Sequence, residues 1–203
     1  MSSSRIPPSN GGIHLKQLSD FLGPPHSADY QKGLTAYKSG DYATALREWK
    51  PLAEQGNAGA QYNLGQMYRK GKGVPQNDKT AVKWYKLAAE QGHASAQNNL
   101  GLMYRKGKGV PQDYKTAAKW FTLAAEQGDA DAQFGLGLIY IEGKGVLKDN
   151  VYAHMWTNIA ASNGENEHVI EFRDMVAKIM TPAQIEKAQD LARESVRKKY
   201  KGC

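Results

Sequence analysis

Apolar and polar positions along the middle of the chain follow a helical rhythm that restarts at a fixed interval. Between Asn57 and Lys70, Ala60, Leu64, Met67 and Tyr68 fall on one stripe of a helix. The stripe returns 36 residues later as Ala96, Leu100, Met103 and Tyr104, and again as Ala132, Leu136, Ile139 and Tyr140. A second apolar stripe follows each of these, marked by Trp84, Trp120 and Trp156 and closing on Ala88-Ala89, Ala124-Ala125 and Ala160-Ala161. Gly56, Gly92, Gly128 and Gly164 punctuate the pattern with the same period. Each unit therefore reads as two helices. The first starts near Asn57, His93 or Asp129 and stops at Gly71-Lys72-Gly73-Val74, Gly107-Lys108-Gly109-Val110 or Gly143-Lys144-Gly145-Val146, helped in two units by Pro75 or Pro111. Asn77, Asp113 and Asp149 stand where a side chain would cap the second helix. A unit this short cannot bury its apolar face alone and must stack on its neighbours. The expected architecture is all-α: an α/α superhelical repeat solenoid of about ten helices in antiparallel pairs, without a sheet.

Gly65, Gly101 and Gly137 interrupt the first helices, where each costs about 1 kcal/mol relative to Ala. Close helix–helix approach explains them, with the neighbouring Trp expected to fill the space and Ala81, Ala117 and Ala153 adding to it. On that reading Trp120 is core. The ends depart from the period. Residues 1–27 are rich in Ser, Pro and Gly and are expected to be a flexible leader. Residues 28–56 form a short first pair, with Ser39-Gly40-Asp41 in place of the long loop, and full units follow at 57–92, 93–128 and 129–164. Residues 165–203 supply capping helices, the last opened by Thr181-Pro182-Ala183-Gln184 as a capping box with Pro in its first turn.

Comparing the units with one another separates scaffold from surface. Positions 59, 62, 63, 66 and 70 form a second stripe on the first helix, and there the residues differ from unit to unit. Tyr62, Asn98 and Phe134 are equivalent, as are Asn63, Asn99 and Gly135, and Gln66, Leu102 and Leu138. First helices usually line the concave side of a helical solenoid. The candidate binding face is thus Tyr62, Asn63, Gln66, Asn98, Asn99, Leu102, Phe134 and Leu138, a mixture of aromatic, amide and apolar groups suited to a protein or peptide partner.

Bulk properties narrow the function classes. No stretch approaches the roughly 18 apolar residues of a membrane span, and residues 1–27 show no secretory h-region. As it stands the sequence reads as cytoplasmic, or as periplasmic or secreted if the leader is a processed or replaced export signal. The single cysteine, Cys203, has no internal partner; it is expected to be exposed and able to link two otherwise monomeric chains. A net charge of +7 invites a polyanion, but the cations are dispersed except for Arg197-Lys198-Lys199-Tyr200-Lys201, read as a solvated helix end, so no specific nucleic acid is implied. The Gly-Lys-Gly loops lack the preceding strand and third glycine of a phosphate cradle. His14, His26, His93, His154 and His168 show no ligand spacing, and neither a metal nor a cofactor is implied.

The three full units share Ala-x-Ala-Gln-x-x-Leu-Gly-x-Met/Ile-Tyr, Gly-x-Gly-Val, Ala-x-x-Trp and Ala-Ala-x-x-Gly, and the resemblance they carry covers about residues 28–164. In these the chain closely resembles the Sel1-like repeat (SLR) family, relatives of tetratricopeptide repeats. The resemblance implies an adaptor whose curved stack holds a partner, with no catalysis, and frequent export. The tail from Arg173 to Cys203 also resembles small bacterial members, which often carry a second cysteine where this chain has Ser195, so the tail disulfide such members imply is absent. An alternative comes from a cysteine-rich branch of the family linked to penicillin binding. Ser195-Val196-Arg197-Lys198 matches the Ser-x-x-Lys of penicillin-recognising hydrolases, but Ser-Asp-Asn and Lys-Thr-Gly are missing.

Overall fold

The computed structural model describes residues 25–164 and 166–200. They form ten helices: α1 (Pro25–Lys38), α2 (Tyr42–Glu54), α3 (Ala58–Lys70), α4 (Asp78–Glu90), α5 (Ala94–Lys106), α6 (Tyr114–Ala125), α7 (Ala130–Glu142), α8 (Asn150–Asn163), α9 (Glu167–Lys178) and α10 (Pro182–Arg197). No strand occurs among the described residues. The leader as far as residue 24 and Cys203 lie outside the described residues.

Local sequence sets the helix ends. The side chains of Asn57, His93 and Asp129 accept the backbone N–H of Ala60, Ala96 and Ala132 at 2.9, 3.3 and 2.9 Å. Asn77, Asp113 and Asp149 do the same for Thr80, Thr116 and Tyr152, satisfying amides that a helix start leaves unpaired. Thr181 and Gln184 complete the expected capping box.

Helices pack in consecutive pairs, α1 with α2, α3 with α4, α5 with α6 and α7 with α8, and each second helix also touches the next first helix. Ala60, Leu64 and Met67 and their equivalents are buried throughout. The first helices α5 and α7 also meet directly, while no two second helices meet to that extent. The first helices thus line the inner side of the stack.

The space beside the helical glycines is filled differently from the sequence expectation. A Cβ on Gly65 would lie 2.6 Å from Tyr85, and one on Gly101 2.8 Å from Phe121; Gly137 faces Thr157. These partners follow the tryptophans by one residue, about 100° round the helix. Trp84 and Trp120 are instead half-buried at the edges of clusters shared by two units, Trp84 against the one that holds Ala45, Leu52 and Leu64, Trp120 against the one that holds Val82, Tyr85 and Leu100. Trp156 alone of the three is fully buried.

Each Gly-Lys-Gly loop also docks on the unit before it. Gly109 (φ 73°) presses against the backbone of Asp78, and Gly145 (φ 78°) against that of Tyr114. No Cβ fits there, and the positive φ favours glycine as well.

An amide ladder joins the units at their opposite ends. Buried Gln61, Gln97 and Gln133 donate Nε2 to the carbonyls of Ala53, Ala89 and Ala125. Their Oε1 atoms accept from Gln91, Gln127 and Asn163 at 2.8, 2.8 and 3.0 Å. Each rung satisfies a carbonyl from the last turn of a second helix and leaves both amide ends of the buried Gln paired. At the end of the array Asn163 also bonds the hydroxyl of Tyr200, so the tail turns back onto the stack and Tyr200 is not part of the solvated helix end expected for residues 197–201.

Candidate functional site

The inner face carries the stripe that varies between units, and the structure gives its members unequal exposure. Tyr62 is half-buried, stacked on the His93 ring at 4.7 Å, and its hydroxyl accepts the Gln66 amide at 2.6 Å. Asn63 donates to the Tyr30 hydroxyl at 3.2 Å, and Asn99 to the carbonyl of Ser95 at 2.8 Å. Leu102 and Leu138 are half-buried, each with an open flank. Asn98, expected on the open face, is only 6% exposed, and its Oδ1 has no hydrogen-bond partner among the described residues. Phe134 meets the edge of Phe172 from α9 at 5.4 Å. Helix α9 thus lies over this end of the stripe, a contact with no counterpart in the repeats. The continuous stretch available to a ligand runs from Tyr62 through Gln66 and Asn99 to Leu102, with Leu138 beyond.

Two cavities flank the array at other places, one at the start of α8 near Gln184 and one beside Gly56. A third opens on the inner face between α3 and α5, with a volume of about 110 Å³, and includes Asn99 and Leu102 in its wall. Arg69, Lys106, Lys108 and Asp78 supply its charges. Arg69 is held by the Tyr85 hydroxyl at 3.2 Å and Gln66 Oε1 at 3.3 Å. Burial pushes the Tyr85 phenol up to about 12, against the opposing pull of Arg69, so it remains a neutral acceptor for that guanidinium.

The titratable groups elsewhere serve packing. His93 is a neutral cap: its Nδ1 must stay unprotonated to accept from Ala96, and burial holds its pKa below the usual imidazole range. His154 is 3% exposed at the contact with α9, its Nδ1 unpartnered. Its pKa is lowered first by burial and then by Arg173, with Asp174 opposing. Ser195 is buried on the face of α10 that packs against α8, whereas the exposed Lys198 ammonium pairs with Glu194 at 2.6 Å. The Ser-x-x-Lys tetrapeptide is therefore split between core and solvent.

Comparison with known proteins agrees with the repeat geometry. The Sel1 repeat family matches residues 58–93, 94–129 and 130–165, more than half of the chain. Among solved structures, the chain is similar to a Sel1 repeat protein from Oxalobacter formigenes, at 32% identity and a TM-score of 0.65, covering 82% of this chain and 75% of the other. It is also similar to c5321, a protective antigen of uropathogenic Escherichia coli strains with an SLR fold, at 29% identity and a TM-score of 0.61. That match covers 91% of this chain but 49% of c5321, so the chain spans about half of that protein's length. No curated protein matches the chain.

Proposed function

Because the chain belongs to the Sel1 repeat family, whose repeats are generally protein-interaction modules, we propose that it is a non-catalytic adaptor that holds a peptide segment of a partner protein along the inner face of its first helices. The observation carrying this reading is a contrast within each first helix. One stripe repeats almost unchanged and is buried apart from its half-buried tyrosines, while the adjacent stripe changes from unit to unit and stays partly open from Tyr62 to Leu102. A rigid scaffold presenting varied aromatic, amide and aliphatic groups suits recognition of an extended or helical segment.

The test compares affinity with stability. Peptides from a randomised display library are selected on the full chain and remeasured against variants. Leu102→Asp should weaken binding more than tenfold, about 1.4 kcal/mol, measured well below the variant's melting temperature because Leu102 also packs against the core around Leu136 and Ile139. Lys86→Glu and Thr122→Asp, on the second helices, should leave affinity within about twofold. Binding that tracks the second-helix changes instead would move the site to the outer face.

A further inference from the structure

Three junctions between units are built from equivalent residues, yet their loop lysines meet different partners. At the first, Lys72 donates to the Tyr42 hydroxyl at 2.9 Å and lies 5.1 Å from that ring's centre and 5.7 Å from the Tyr37 ring. At the third, Lys144 sits 5.3 Å from the Tyr114 ring centre and pairs with Glu142 at 3.3 Å. Glu142 also binds Arg105 across the units at 3.1 Å, so one carboxylate bridges two cations on the inner face. Moving back by one period, Arg105 becomes Arg69, Lys144 becomes Lys108, and Glu142 becomes Lys106. The second junction thus keeps both cations and replaces the carboxylate between them with a third.

This is the junction that opens into the cavity of about 110 Å³. None of Arg69, Lys106 and Lys108 makes an ion pair among the described residues, although Arg69 is already oriented by Tyr85 and Gln66. The one acid in the wall, Asp78, leaves the lining two charges positive. Three cations gathered with a single carboxylate keep a net repulsion, and a partly enclosed site strengthens the hold on an anion that enters it.

Resting on the peptide-binding reading above, we infer that the cavity between α3 and α5 is a subsite for an acidic side chain, Asp or Glu, of the bound segment, held by Arg69, Lys106 and Lys108. Glu142 at the next junction is the intramolecular counterpart of that ligand group. A side chain rather than a chain terminus fits, because the groove continues on both sides, past Gln66 in one direction and toward Leu138 in the other. The volume accommodates a carboxylate with its methylenes. Leu102 and Met103 in the wall pack against those methylenes, and the guanidinium supplies paired donors.

The experiment uses the full chain and randomised 12-residue peptides displayed as an internal segment, so that no free C-terminus is present. Selected peptides should share one Asp or Glu. Replacing it by its amide should weaken binding at least tenfold on the parent chain. Lys106→Glu, which rebuilds the Glu142 arrangement at an exposed position, should weaken the acidic peptide by a similar factor and leave the amide peptide within twofold. Asp78→Asn should tighten the acidic peptide. Glu142→Lys should open a second acidic preference one unit further along the groove. Peptides that depend on Leu102 but tolerate loss of their acid, or that ignore Lys106→Glu, overturn the subsite and leave the peptide-binding face standing. Binding only by peptides with a free C-terminal carboxylate overturns the side-chain assignment. A selection that yields nothing sensitive to Leu102→Asp overturns both readings.

Discussion

Trp120 and Trp156 occupy the same position of consecutive units and live in different surroundings. Trp120 is half-buried at the edge of a cluster that includes Tyr85 and Leu100. Trp156 is 1% exposed, because α8 is gripped by both α9 and α10. The position three residues on shows the same trend: Leu87 and Leu123 are 44% and 45% exposed while Ile159 is buried. Identical register therefore does not mean identical energy. Inside the array a residue sees only copies of its own unit, whereas at the end it sees helices of unrelated sequence that complete the burial.

The largest expected consequence concerns the two tryptophans. Trp156→Ala should cost about 3–5 kcal/mol, the range for a buried aromatic. Trp120→Ala should cost no more than about 2 kcal/mol, since a half-exposed ring loses less burial. This replaces the expectation from sequence that Trp120 is full core. Urea unfolding of both variants measures the difference; equal losses would show that the terminal helices add nothing at Trp156.

Phe134 sharpens the contrast on the inner face. Its edge contact with Phe172 contributes about 0.5–1.5 kcal/mol beyond simple burial. Phe134→Asp should therefore destabilise the chain and loosen α9, while Leu102→Asp, which does not touch Phe172, should leave α9 in place. Hydrogen exchange across Glu167–Lys178 reads this directly, and unchanged protection in the Phe134 variant would detach α9 from the groove. Tyr200→Phe removes the hydroxyl shared with Asn163 and should cost about 1 kcal/mol, seen as a small shift in the urea midpoint that vanishes when Asn163 is replaced as well.

The last expectation concerns pH. The pKa values of His93 and His154 are both lowered in the folded chain from the ordinary 6.5. The unfolded chain therefore takes up protons first as acid is added. The stability they contribute is complete above about pH 6.5 and is lost as pH falls from there toward the lowered folded values. His154→Gln should flatten part of the fall in urea midpoint between pH 7.5 and 5.5. An unaltered slope would assign the acid sensitivity elsewhere.

Helix limits and caps were legible because three copies of the same signals, Asn57 with its equivalents and Asn77 with its own, override any single ambiguous residue. Facing directions were less so. The period identifies which residues recur, but whether Trp84 or Tyr85 meets Gly65 depends on a rotation of one residue, and only the packed pair decides it. Gln61, Gln97 and Gln133 recur as plainly as the glycines, yet their function was invisible, since each rung joins residues 30 positions apart. At the candidate face, Asn98 falls into the core because its short side chain sits where Tyr62 and Phe134 extend outward. The cover over Phe134 comes from α9, whose sequence repeats nothing upstream. The difference between Lys106 and Glu142 was on the page from the start, but its meaning needed Arg105 and Lys144 to be seen meeting on one carboxylate.

The amide ladder bears on how such a chain can lengthen. Every interior unit carries, in its own sequence, a Gln that reaches back to the helix before it and another amide that closes on that Gln. A duplicated stretch of 36 residues thus arrives with both halves of its joint already in place, and insertion between existing units requires no matching change in either neighbour. The same does not hold at the far end, where Asn163 is tied to Tyr200. Growth by duplication is open in the middle of this molecule and closed at that end, where a new unit would have to displace the tail from Asn163 before it could be joined.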